Sequence, residues 1–168
     1  MPQIIKGYKS FNSNFETFNN IKMEPNKIYK IDENIKYHQK GYHFAMNLED
    51  TLRYVNGLEE EIIICQIEAL GIIKWNNDEY YGYYDLGCTN IIKILNPLTR
   101  EEIIKDILNK PDFRIKRFLE GYKLTEEEIQ LFKEKYQNNI SILEYIKYYQ
   151  EKDYKAFEKK YKRLIKTN

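Results

Sequence analysis

Apolar and polar positions change rhythm at Pro97. Residues 1–97 alternate or run apolar over short stretches, whereas residues 98–168 space their apolar side chains at helical intervals. In the first part, IIKGYKSF (4–11) and the alternating KIYKI (27–31) read as strands, separated by SNFETFNNI (13–21) and the turn signal EPN (24–26). SNFETFNNI fits a short helix or a turn region, with Asn12 or Ser13 as its cap. KGYHFA (40–45) is a short strand entered through Gly41. Asn47 then opens a helix over LEDTLRYV with acids in its first turn, and Leu48, Thr51, Leu52 and Val55 share a face before Asn56-Gly57 ends it. EEIIICQIEALGII (60–73) is the strongest strand, and its continuous apolar centre predicts a buried, central position with a bend or bulge at Gly71. NNDEYYGYYDLGC (76–88) reads as a loop or hairpin, and TNIIKIL (89–95) as a last strand closed by Asn96-Pro97.

Beyond Pro97, two capping boxes announce helices. Thr99 precedes Glu102, and Thr125 precedes Glu128, each at the spacing that lets side chain and backbone satisfy one another. Between them, PDFRIKRFLEGY reads as a helix ended by Gly121, and ISILEYIKYYQEKD and YKAFEKKYKRLIK complete a helical tail. The expected fold class is α+β: a small mixed or antiparallel sheet over residues 1–97, then about four short helices over residues 98–168. The pattern leaves open whether that tail packs back onto the sheet.

Composition narrows the picture by exclusion. The 168 residues are 42% apolar and 15% aromatic, with 16 tyrosines, enough to bury a sizeable core. The formal charge is +1, so no global field draws the chain to nucleic acid or membrane. Residues 1–97 carry 10 Lys/Arg against 13 Asp/Glu, and residues 98–168 carry 17 against 13. The basic end, KDYKAFEKKYKRLIKTN, reads as a solvated helix face, with no nucleic-acid motif beside it. Cys65 and Cys88 lack zinc-ligand spacing and read as reduced thiols, Cys65 as a small hydrophobe within an apolar run. MPQIIKGYK has neither the apolar core nor the cleavage site of a signal peptide, and no run reaches membrane-span length, so a cytoplasmic location is expected. His38 and His43 are the two histidines, and their spacing offers no metal pair.

The stretch GYHFAMNLEDTLRY (41–54) resembles the signature of the ADP-ribosyltransferase fold, in the branch of poly-ADP-ribose polymerases and related toxins. There, a strand reading Gly-x-Tyr-Phe-Ala leads into a helix carrying a Ser and then a Tyr. Gly41, Phe44 and Ala45 match; His43 stands where the first tyrosine stands, Thr51 where the serine stands, and Tyr54 where the second tyrosine stands. IIICQIEALG resembles the apolar strand that follows in that family, so the likeness spans residues 4–95. The same span more closely resembles an uncharacterised group of small bacterial and phage proteins that open with Tyr-Lys-x-Phe and later show Gly-Phe-His-Phe. YKSF (8–11) and GYHF (41–44) carry that match.

The ADP-ribosyltransferase resemblance implies a cleft for NAD or another nucleotide. Tyr54 would stack on the nicotinamide ring, Thr51 would hydrogen-bond its amide and His43 would wall the pocket. The family's first strand ends in His-Gly or Arg-Gly; here the nearest matches are Lys9-Ser10 or Lys6-Gly7. Lysine lacks both an acceptor and a planar fork. The family's catalytic glutamate stabilises an oxocarbenium-like transition state, and Glu79 is its candidate counterpart, with Asp78 and Asp85 as alternatives. The departures at the first strand imply a degenerate, binding-only version with at most residual ADP-ribosyl transfer. The alternative is a non-enzymatic interaction module that meets a protein partner through YYGYYDL and the helical tail.

Overall fold

The computed structural model describes residues 4–32, 34–36, 39–55, 58, 61–76 and 85–151. Seven strands form one sheet: β1 (Ile5–Asn12), β2 (Ile28–Lys30), β3 (Tyr42–Ala45), β4 (Ile62–Ala69), β5 (Ile73–Trp75), β6 (Leu86–Thr89) and β7 (Ile91–Pro97). Their order is β2-β7-β4-β1-β3-β6-β5, and every pairing is antiparallel. A 3₁₀ helix, Leu48–Tyr54, follows β3, and α1 (Arg100–Ile107), α2 (Asp112–Gly121), α3 (Glu126–Lys135) and α4 (Ile140–Ile146) follow the sheet. A π-helical turn, Lys147–Glu151, continues α4. The fold class is thus α+β with its α-helices C-terminal to the strands, and the sheet is antiparallel throughout. No helix among the described residues is long and apolar enough to cross a membrane.

β4 is central, between β7 and β1, as its apolar run requires. Its two faces differ. Ile63, Cys65, Ile67 and Ala69 point into one apolar cluster with Phe11, Met23, Phe44, Ile92 and Ile94. Ile62 and Ile64 point the other way, into a second cluster built with Leu48, Leu52 and the helices. The run is continuous where helices cover it and turns polar at Gln66 and Glu68, beyond their reach. The stretch 60–73 is not one strand. At Gly71 the chain bends, and Asn90 Oδ1 accepts from Ile72 N at 2.7 Å in the space that a Cβ at Gly71 would fill. Ile73–Trp75 then pairs with β6 at the far edge. Leu86, Gly87 and Cys88, read within the loop or hairpin, join Thr89, read as opening the last strand, in the fully buried strand β6. SNFETFNNI forms no helix: Asn12 Oδ1 accepts from Asn14 N and Glu16 N, and a turn with positive φ at Phe15 and Asn20 closes at the Glu16–Lys22 bridge.

Both capping boxes form, at Thr99–Glu102 and Thr125–Glu128. Ile103, Ile107, Ile115, Phe118 and Ile146 pack from the helices onto Leu48, Leu52 and Ile64. α2 approaches the 3₁₀ helix so closely that a Cβ at Gly121 would lie 2.8 Å from Leu52 Cβ. Gln150, buried in the π-helical turn, donates to the Leu119 and Tyr122 carbonyls and accepts from Leu124 N, which satisfies the otherwise open end of α2.

Candidate functional site

β1 is paired along its whole length with β4 but meets β3 at a single register position, Tyr8 opposite Ala45. There the two backbones nearly touch: a Cβ on Gly7 would sit 2.6 Å from the Ala45 carbonyl oxygen. Toward Ser10 the strands part. Lys9 reaches across the opening and its Nζ donates to the His43 carbonyl at 2.7 Å. The gap holds a cavity of about 250 Å3, walled by β1, β3, the 3₁₀ helix and the loop from Thr17 to Met23. Successive residues of a strand face opposite sides, yet Lys9 and Ser10 both line this cavity. The cavity occupies the break in the sheet rather than one of its faces.

Glycines fix the β3 wall. Gly41 has φ +139°, and a Cβ there would fall 2.0 Å from Cys88 Sγ. The Phe44 ring lies over Gly87, where a Cβ would meet it at 2.4 Å. This is why the strand is entered through a glycine: no other residue follows that φ beside a buried sulfur.

The helix after β3 is wound more tightly than its apolar spacing implied. Three residues per turn stack Leu48, Thr51 and Tyr54 in one column. That column brings Thr51 and Tyr54 to the same cavity. Thr51 Oγ1 donates to the Leu48 carbonyl at 2.8 Å, and Ser10 Oγ donates to the Thr51 carbonyl at 2.8 Å. A hydroxyl has one hydrogen, so both oxygens keep only lone pairs. The Tyr54 hydroxyl is buried and bonds to nothing among the described residues, while the Arg53 guanidinium lies 5.4 Å from its ring centre.

Lys9 is the cation of the site. Burial brings its ammonium down to about 8, opposed by the neighbouring Cys88. Burial in turn pushes the Cys88 thiol up to about 11, so at neutral pH the pair is an ammonium beside a thiol. Cys88 Sγ points its hydrogen to the Lys40 carbonyl at 3.6 Å. Cys65, pushed up to about 12 by burial, is no nucleophile. No carboxylate among the described residues pairs with Lys9 or lines the cavity.

Of the residues selected from sequence, Lys9, Ser10, His43, Thr51 and Tyr54 therefore line one cavity. Lys6, the alternative to Lys9, is exposed and does not line it. Asp85 is bound by Asn47 Nδ2 at 3.2 Å and faces Arg114 at 3.7 Å, away from the cavity lining. Asp78, Glu79, His38, Asn56-Gly57, the tyrosines of YYGYY and the basic segment from residue 152 onward lie outside the described residues. The loop wall was not foreseen as part of the site; its signal in the sequence is FNN at 18–20, a turn-forming pair of asparagines next to an apolar side chain. Phe18, 78% exposed, stands on that wall.

A second cluster of buried charge lies behind the 3₁₀ helix. Glu49 and Asp50, read from the sequence as first-turn acids, are 1% and 0% exposed. Arg114 Nη1 donates to Glu49 Oε1 at 2.6 Å and to Asp50 Oδ2 at 3.3 Å, and Arg117 Nη1 donates to Asp50 Oδ1 at 2.5 Å. The model of the family described as Domain of unknown function (DUF7666) matches residues 5–106. This chain belongs to the DUF7666 family. The DUF7666 match begins at β1 and ends within α1, so it takes in every residue lining the cavity and both acids of the cluster, and leaves out the two arginines. No curated protein and no solved structure matches the chain.

Proposed function

We propose that this DUF7666 domain binds a nicotinamide dinucleotide or another nucleotide by its ring, in the gap between β1 and β3, as a binding-only relative of the ADP-ribosyltransferase fold. One observation carries the reading. Five residues chosen because they stand at that fold's site positions, scattered over positions 9 to 54, line one cavity. In this reading, Tyr54 offers its ring face and His43 walls the pocket. Thr51, whose hydrogen is committed to Leu48, accepts from the ring's amide rather than donating to it. Lys9-Ser10 takes the place of the family's His-Gly or Arg-Gly, and a lysine held to a backbone carbonyl is a poorer ribose clamp than either. Glu79 remains the candidate carboxylate for any residual transfer.

The test is a titration of the full chain with NAD+, read by thermal shift and by calorimetry, against a Tyr54→Ala variant. Binding at sub-millimolar NAD+ that Tyr54→Ala weakens about tenfold or more, the loss expected of a stacked ring at ~1–3 kcal/mol, supports it. No shift and no heat at millimolar NAD+ removes it.

A further inference from the structure

The cavity is lined by polar groups of several kinds, and they are not equally free. Ser10 and Thr51 have given their hydrogens to backbone carbonyls and keep only lone pairs. The Tyr54 hydroxyl still has its hydrogen and no described acceptor. Lys9 spends one of its three N–H bonds on the His43 carbonyl and faces no carboxylate among the described residues. Two of the donors are thus an ammonium on β1 and a phenol on the 3₁₀ helix. A group that only accepts satisfies both; a carboxamide brings two hydrogens of its own and no charge. An unpaired, partly buried cation also gains more from an anion than from a dipole, because water screens it little.

Size adds a second constraint. About 250 Å3 lies below the roughly 300–1,000 Å3 of pockets that enclose drug-sized ligands. The aromatic walls Tyr42, Phe44 and Tyr54 favour a flat guest. The lone pairs of Ser10 and Thr51 suit the polarised C–H edge of an electron-poor ring.

We infer that the β1–β3 cavity selects a single electron-poor aromatic ring bearing a carboxylate, of the pyridine-carboxylate class, held between Lys9 Nζ and the Tyr54 hydroxyl. The inference rests on the ring-binding reading above and narrows its ligand from carboxamide to acid. Lys9 supplies the charge and Tyr54 the second hydrogen bond.

Calorimetric titrations of the full chain with nicotinate, nicotinamide, NAD+ and inorganic phosphate separate the outcomes. Nicotinate is expected to bind about tenfold or more tightly than nicotinamide near neutral pH, the ordinary advantage of a charge-assisted pair. That preference is expected to fade as Lys9 loses its proton near pH 8. The other titratable group facing Lys9 is the Cys88 thiol on β6, so the profile is repeated on Cys88→Ala, which is expected to keep it. Lys9→Met is expected to abolish the preference and Tyr54→Phe to weaken nicotinate several-fold. Tyr54→Phe removes one oxygen only, so it decides the matter if Lys9→Met does not fold. Nicotinamide or NAD+ binding as tightly as nicotinate overturns the inference and leaves the ring-binding reading standing. Phosphate competing as well as nicotinate overturns the ring and leaves an anion site. No binding by any of the four at about 10 mM, a free energy below ~3 kcal/mol, sinks the inference and the broader reading together.

Discussion

Two buried sites among the described residues treat positive charge in opposite ways. Behind the 3₁₀ helix, Arg114 and Arg117 meet Glu49 and Asp50, with hydrogen bonds from 2.5 to 3.3 Å. In the sheet gap, Lys9 meets a carbonyl and a thiol. In the first arrangement each arginine meets a buried carboxylate directly. The second has a surplus. A buried pair is neutral in sum and works as a fastener between elements, whereas an unmatched cation beside a cavity is an invitation. The arginine–carboxylate cluster ties α2 to the helix that carries Thr51 and Tyr54, so the fastener also holds one wall of the cleft.

The sharpest way to break this contrast is to unmatch the matched site. Asp50→Ala removes the carboxylate shared by Arg114 and Arg117 and leaves buried guanidinium charge behind. It is expected to lower unfolding free energy by about 3–5 kcal/mol in urea denaturation. A loss below ~1 kcal/mol would show the cluster to be ornamental. Next comes the β3 entry. Gly41→Ala is expected to destabilise by roughly 1–3 kcal/mol from φ +139° alone, with overlap on Cys88 Sγ added. Gly41→Ala combined with Cys88→Ala is expected to recover the overlap and not the φ, and full recovery would refute the backbone argument.

Removing the surplus should do the reverse. Lys9 sits below its unfolded value of 10.5, at about 8, so the unfolded chain binds its proton more tightly and stability rises as pH passes from the lower value toward the higher. Lys9→Met is expected to flatten that rise and to stabilise the apo protein by about 1 kcal/mol at neutral pH. Equal or lower stability of the variant across that window would mean the ammonium is solvated after all. The smallest effect is expected from Tyr54→Phe. Loss of a buried, unpartnered hydroxyl should leave stability unchanged or raise it by up to ~1 kcal/mol. A clear fall would reveal a hydrogen bond to a residue outside those described.

The sequence made visible what is local. Both capping boxes formed because their reciprocal bonds span three residues, and β4 was found central because a run apolar on successive positions needs cover on both faces. What it concealed depends on partners far along the chain. Glu49 and Asp50 look like ordinary first-turn acids until arginines 64 to 67 positions away close over them. LGCT carries too few β-formers to announce a strand; its small residues are there because Phe44 lies on Gly87 and Cys88 backs Gly41. At the site, the resemblance to the ADP-ribosyltransferase signature selected Lys9, Ser10, His43, Thr51 and Tyr54, but not the state of their hydrogens. That state depends on which carbonyls stand nearby, and it turns a list of polar residues into an acceptor-seeking pocket.

The column of Leu48, Thr51 and Tyr54 carries one more implication. Over the six steps between the seven residues Leu48–Tyr54, a 3₁₀ winding completes two full turns, while an α winding falls short by roughly 120° and about 3 Å of rise. Relaxing this short coil into its commoner form would swing the Tyr54 ring out of register with Thr51 and dismantle the cleft wall without altering a single side chain. The pitch of seven residues is therefore a tuning peg for the pocket, and any guest that grips Tyr54 also tightens the string.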